Sequence, residues 1–311
     1  MNLRRLQYFV KIVDTGSLTR AADVLLIAQP ALSQQLATLE REARQKLLMR
    51  TKRGVVPTEA GRVLYRHAQL ILRQCEQARA DMHAAAQELA GAVAVGLAPG
   101  TAAAGLALPL LRTVRARHPG IVLYLNETYG STLSELVMNG RMDFAVLYGG
   151  KAAMHGLSFV PLLKERLCVV GPDRMPAPAA EVPVRDLADV DLFVARPYNV
   201  VRRMVDEAFA ANSMTPRVVA EIESDSTLKQ VIAEGLGATI LPESMARQVV
   251  ASCAAWQRRI VDPVIEAPLA LCLSDHLPLS EPAQAVKQIV LELIEEMAPA
   301  RNGVAETRLA S

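Results

Sequence analysis

The chain has 311 residues, 51% hydrophobic and 21% charged, which excludes a disordered or fibrous chain and leaves room for two or three packed domains. Its net charge is only +2, yet residues 1–90 hold 14 Lys/Arg against 8 Asp/Glu while the remainder holds 20 against 24. A basic front on a slightly acidic body points to a nucleic-acid-binding segment joined to something else.

The first element is a helix with Leu6, Phe9, Val10 and Val13 on one face and Gly16 just past its end, where a left-handed cap belongs. Ser17 is a fitting N-cap for a second helix, SLTRAADVLL, with Leu18, Ala21, Ala22 and Leu25 facing inward. A third helix opens at IAQPALSQQLATLE, with Pro30 in its first turn and Leu32, Leu36 and Leu39 on its apolar stripe. Two short helices, a tight turn and a third helix make a helix-turn-helix, expected over about residues 18–37. The segment LLMRTKRGVVPTEAG then reads as a β-wing tipped by Arg50, Lys52 and Arg53.

The exposed side of the third helix carries amides and hydroxyls instead of the usual Lys and Glu. Those groups read base edges, because Gln pairs bidentately with adenine and Ser takes several edges, whereas charge adds affinity without discrimination. Gln29, Pro30, Ala31, Ser33 and Gln34 are therefore the expected base-facing set, with Ala31 suited to a thymine methyl. Arg4, Arg5, Arg20, Arg50, Lys52 and Arg53 fall where phosphates would lie, and Arg53 has the alternative of a minor groove.

From Thr58, a plausible N-cap, Gly61, Leu64, Ala68, Ile71, Cys75, Ala78, Met82, Ala85 and Leu89 recur in steps of three and four. This is an a/d seam over four heptads, on a helix of about 30 residues and about 45 Å. The reading is a dimerisation rod, with packing on its own domain as the plain alternative.

The charge-free stretch from Leu89 to Leu111 is broken by Pro99, Gly100 and Pro109, so a strand, a turn and a helix fit it better than a membrane span. Residues 92–298 alternate strands (93–97, 121–127, 143–148, 167–171, 192–195, 218–222, 238–241, 269–274) with helices (101–117, 131–139, 200–212, 225–235, 243–251, 281–297). The alternation predicts a parallel α/β architecture of two lobes around a cleft. The N–H groups of Thr101 and Ala102, after Pro99–Gly100, are placed to hold an anion at a helix start.

No apolar run with a small-residue cleavage site opens the chain, and the cysteines at 75, 168, 253 and 272 show no CxxC pairing. They read as reduced core thiols of a cytoplasmic, nucleoid-associated protein. Histidines 67, 83, 118, 155 and 276 have no metal spacing, no GxSxG occurs, and no GxGxxG follows a strand. The expectation is thus no enzyme, no cofactor and no metal.

The stretch from Leu3 to Gly61 resembles the winged helix-turn-helix of LysR-type transcriptional regulators. Gly16-Ser17, Ala21-Ala22, Gln29-Pro30-Ala31-Leu32-Ser33, Leu39-Glu40 and Thr58-Glu59-Ala60-Gly61 carry the likeness, and length and organisation extend it over nearly the whole chain. Within the family it is most similar to nitrogen-assimilation regulators, through RRLQYFVKIVDTGSLT, RTKRGV, ILRQCEQA, APGTAA, VDEAF, EIES and LPES. The resemblance implies residues 1–58 as the DNA-binding domain, 59–90 as linker helix and 91–298 as a two-lobed effector domain like type 2 periplasmic binding proteins, with 299–311 a tail. Lobe 1 would span about 91–161 and 267–298, and lobe 2 about 162–266. It further implies a homodimer or dimer of dimers on an interrupted inverted repeat in double-stranded DNA. Control of nitrogen-assimilation or related metabolic genes goes with it.

RNA polymerase is left open as a further partner, as is any small-molecule coinducer. Family ligand contacts map onto Thr128, Ser131, Tyr148, Tyr198 and Ser226, and Gly100, Thr101 and Ala102 at the helix start join them as the expected effector site. Two departures stand out. Many relatives carry Arg at the position of Gln34, and residues 101–104 are TAAA, with one hydroxyl where many relatives have two or three. The rival readings are an enzyme on an α/β scaffold and a cytoplasmic small-molecule-binding α/β protein whose basic front serves another role.

Overall fold

The computed structural model describes residues 1–51, 54–84, 89–149, 156–176 and 180–297. The chain divides into two compact units, one carrying Met1–Glu88 and the other Leu89–Met138 with the residues from Met142 on.

In the first unit, α1 (Leu3–Thr15) is capped by Asn2 and stopped by Gly16 at φ 62°, a conformation that glycine adopts without a Cβ penalty. Ser17 accepts the Arg20 N–H to start α2 (Leu18–Leu25). Next comes α3 (Gln29–Ala43), with Pro30 in its first turn. Phe9, Ile12, Ala21, Ala22, Leu32 and Leu39 bury the shared face. The strands β1 (Leu48–Thr51) and β2 (Gly54–Pro57) pair antiparallel as the wing.

Thr58 Oγ1 accepts the Gly61 N–H, as an N-cap does, opening α4 (Glu59–Ala84). Gly61 is needed for close approach, since a Cβ there would overlap the Leu47 carbonyl oxygen. The Tyr65 hydroxyl of α4 donates to Asp14 of α1.

The second unit is built on β3 (Gly91–Leu97), α5 (Ala107–Arg117), β4 (Ile121–Glu127), α6 (Gly130–Met138), β5 (Phe144–Tyr148) and β6 (Leu157–Pro172). There follow β7 (Glu181–Pro183), β8 (Leu192–Val194), α7 (Val200–Ala211), β9 (Val218–Glu221), α8 (Asp225–Ala233), β10 (Thr239–Pro242), α9 (Glu243–Ser252), β11 (Ala255–Val261), β12 (Glu266–Ser274) and α10 (Glu281–Met297). Sheet order is β4-β3-β5-β12-β6-β11-β7, with β10 also on β6 and β8 paired with β9. All five residues of β5 are buried, as a strand covered on both faces must be.

The sheet is mixed where a parallel one was expected. Among the described strands, β3/β4, β3/β5, β8/β9 and β7/β11 run parallel; β12 lies antiparallel to β5 and β6, and β6 to β10 and β11. The long strand β6 runs beside β12 along the whole of β12, joining two lobes. Pro161 and the charged Lys164-Glu165-Arg166 hid the first half of β6 in the sequence, and the Gln and Arg residues of AWQRRIV hid β11. The expected single helix over 101–117 is a short 3-10 turn at Ala102–Leu106 followed by α5.

Candidate nucleic-acid interface and ligand cleft

Pro30, Ala31 and Gln34 are found exposed at the N-terminal end of α3, while the half-buried Gln29 and Ser33 lie beside them. Gln29 Nε2 donates to Ser33 Oγ at 2.8 Å, so these two side chains orient each other. Ser17 serves as the N-cap of α2. The far end of α3 is held by Glu40, which is 9% exposed. Its carboxylate accepts the Leu47 N–H at 3.0 Å, the Leu48 N–H at 3.3 Å and Lys46 Nζ at 2.7 Å. Burial opposes its ionisation, but Lys46 and the two N–H groups outweigh that and hold its pKa below the ordinary value.

Arg50 is exposed on β1 and makes no ion pair among the described residues. Arg5 differs from expectation: it pairs with Glu42 at 2.6 Å and donates to Gln35 at 3.0 Å, so it braces α1 against α3 with its charge compensated. Lys52 and Arg53 lie outside the described residues, as do 299–311.

The expected seam divides. Leu64 packs against the core formed by Phe9, Leu39 and Leu47, Ala68 is fully buried, and Gly61 sits on Leu47. These positions, assigned by spacing to a partner, are consumed inside the unit because the start of α4 covers α1. Farther along, Ile71 is 36% exposed, Met82 is 69% exposed, Ala78 is exposed and Cys75 half-buried. Leu89 leaves the seam altogether: α4 is described to Ala84, and Leu89 packs against the core of the second unit. Ala85 lies outside the described residues.

Between the lobes of the second unit is a cleft of about 120 Å³. Gly100, Thr101, Ser131, Tyr148 and Tyr198 line it; Thr128 and Ser226 do not, and Ser226 bonds instead to Ser224 at 2.9 Å. Ala102 opens the 3-10 turn, and its side chain is outside the described residues. The N–H groups on either side of the expected Thr101–Ala102 anion cradle are taken from within. The Gly100 N–H donates to the Asp225 carboxylate, and the Ala103 N–H donates to Thr101 Oγ1 at 2.9 Å. Thr101 Oγ1 in turn donates to the Ala98 carbonyl at 2.7 Å, and the Tyr148 hydroxyl donates to Glu165.

Sequence reasoning missed Tyr129, Glu223, Asp225 and Thr239. The Tyr129 and Tyr198 rings meet edge-to-face at 6.1 Å, and both hydroxyls bond to Glu223. Burial, with Glu223 second, raises the Tyr129 pKa; for Tyr198 the Glu223 bond is the main cause. Burial raises the Asp225 pKa against the Gly100 N–H and Lys229. Arg202, in the same wall, is satisfied by the Ala195 carbonyl at 2.8 Å, Asp206 at 2.8 Å and Glu221 at 3.4 Å. No group of three His, Cys, Asp or Glu able to hold a metal occurs among the described residues.

A winged helix-turn-helix, a long following helix and a two-lobed α/β unit around a cleft define the DNA-binding regulators that carry a binding-protein-like domain. The chain matches the model for bacterial regulatory helix-turn-helix proteins of the lysR family over residues 3–62, and the LysR substrate binding domain over 86–295. It belongs to the LysR family of transcriptional regulators. It is 50% identical, over 94% of its length and 95% of theirs, to the nitrogen assimilation regulatory proteins nac of Klebsiella aerogenes and Escherichia coli K12.

The fold is that of a full-length OxyR variant from Pseudomonas aeruginosa, with TM-score 0.73, 24% identity and 95% of each chain covered. It is also that of CbnR complexed with its target DNA, with TM-score 0.65, 21% identity, and 96% of this chain and 100% of that one covered. No helix of the described residues is long and apolar enough to cross a membrane.

Proposed function

We propose that this chain regulates nitrogen-assimilation genes by binding an interrupted inverted repeat as a homodimer or a dimer of dimers. The observation that carries the DNA-binding half is the run of Pro30, Ala31 and Gln34 beside the bonded Gln29–Ser33 pair, on a helix start clear of its own domain. The nitrogen half rests on the nac relatives. Arg50, Lys52 and Arg53 neutralise phosphates, and the exposed part of α4 from Ile71 to Met82 meets a second copy. The cleft between lobe 1 (about 91–161 and 267–298) and lobe 2 (about 162–266) receives the effector, through Ser131, Tyr198 and their neighbours. RNA polymerase is the partner through which bound protein alters transcription, in a cytoplasmic setting and without catalysis by this chain.

Sequencing genomic fragments captured by the purified protein tests the proposal. It expects an inverted repeat upstream of nitrogen-assimilation genes. Capture with no shared sequence would overturn it.

A further inference from the structure

The cleft contains charge and an unanswered hydroxyl that suggest what it accepts. Three charged side chains line it, and Arg202 is already neutralised by Asp206 and Glu221. Glu223 and Asp225 form no ion pair among the described residues; Asp225 has only the Gly100 N–H and the more distant Lys229. Glu223 accepts two tyrosine hydroxyls, and a carboxylate has about four acceptor sites, so acceptor capacity remains. Thr239, the first residue of β10, is 1% exposed and lines the cleft, yet its Oγ1 has no hydrogen-bond partner among the described residues. A buried hydroxyl without a partner is costly, and a ligand's polar atom would satisfy it. Val194, Val205, Leu228 and Ile240 give the wall an apolar stretch, and Thr101, Ser131 and Asn199 add neutral polar groups.

We propose that the cleft takes a small amine, its ammonium group held by Glu223 and Asp225 beside the Tyr129 and Tyr198 rings and its far polar end bonded to Thr239 Oγ1. This rests on reading the cleft as the effector site. Aromatic rings and carboxylates without an ion-pair partner among the described residues favour a cation, and the same carboxylates repel an anionic ligand. A ligand carboxylate at Gly100 would have to displace Asp225 from the N–H it already occupies.

Calorimetric titration of the full chain with aminobutanol and with hydroxybutyrate, alike in length and opposite in charge, decides the matter. Aminobutanol is expected to bind and hydroxybutyrate to give no heat. Glu223→Gln and Asp225→Asn, which keep the shape and one acceptor oxygen, are each expected to weaken aminobutanol by about tenfold. Thr239→Val is expected to weaken it too, while leaving the unfolding midpoint of the free protein unchanged or raised, since no bond is lost. Hydroxybutyrate binding as tightly, no heat from either probe, or full affinity in both carboxylate variants would each overturn the proposal. Operator binding by the same samples separates the two levels. Preference for the captured sequence without amine binding refutes only the amine, whereas loss of that preference in the unaltered chain refutes the regulator reading itself.

Discussion

The Glu40 carboxylate, near the end of α3, receives the Leu47 N–H at 3.0 Å and so ties the base-facing helix to the strand that begins the wing. Removing it leaves two N–H groups and a lysine without their acceptor. Glu40→Ala is expected to lower stability by about 2 kcal/mol, read as a shifted urea midpoint. Because the folded pKa lies below the ordinary 4.5, the contribution is present above that value and lost as pH falls through the depressed folded value. A variant whose stability tracks wild type across the acid range would refute this.

Gln29→Ala and Ser33→Ala should each weaken binding to the captured sequence by roughly 1–3 kcal/mol while sparing random duplex. Since Gln29 donates to Ser33, the double variant should lose less than the two single losses combined. Fluorescence anisotropy on both duplexes measures it. Equal loss on specific and random DNA contradicts the base-facing assignment.

The cations divide by what they already touch. Arg50→Ala should weaken all duplexes alike and flatten the salt slope by about one. Arg5→Ala should change the slope less, because Glu42 compensates that charge in the free protein. A salt titration giving the same slope change for both would show that the Arg5–Glu42 pair opens on DNA.

On α4, Ile71→Asp should give monomers by sedimentation. Leu64→Ala, facing Phe9, Leu39 and Leu47, should cost about 2 kcal/mol of stability in the first unit with the oligomeric state kept. Monomers from Leu64→Ala with unaltered stability would restore the longer seam.

Burial pushes the Cys168 and Cys272 thiols up to about 11, so at neutral pH neither supplies reactive thiolate. A thiol titration of the native protein should find Cys75 and Cys253 first and the other two only on unfolding. Four equally fast thiols would contradict the burial.

Local chemistry made much of this chain legible from its sequence. Gly16, Ser17, Pro30 and Thr58 act on neighbours within four residues, and the period of Leu32, Leu36 and Leu39 depends only on helix pitch, so the helix-turn-helix and the start of α4 could be read directly. The family motifs extended that reading to the two-lobed plan. Strand direction was not legible, because Lys164, Glu165 and Arg166 look polar until β12 is laid beside them.

Nor could spacing tell that Leu64 and Ala68 face inward while Ile71 and Met82 face out, since one stripe serves either partner. The cleft and five of its lining residues were legible, but the contacts inside it were decided by tertiary structure alone. Gly100 meets Asp225, Tyr129 meets Tyr198 and Thr239 loses its water only when residues far apart in the chain are brought together, and desolvation, which sets their chemistry, has no signature in local sequence.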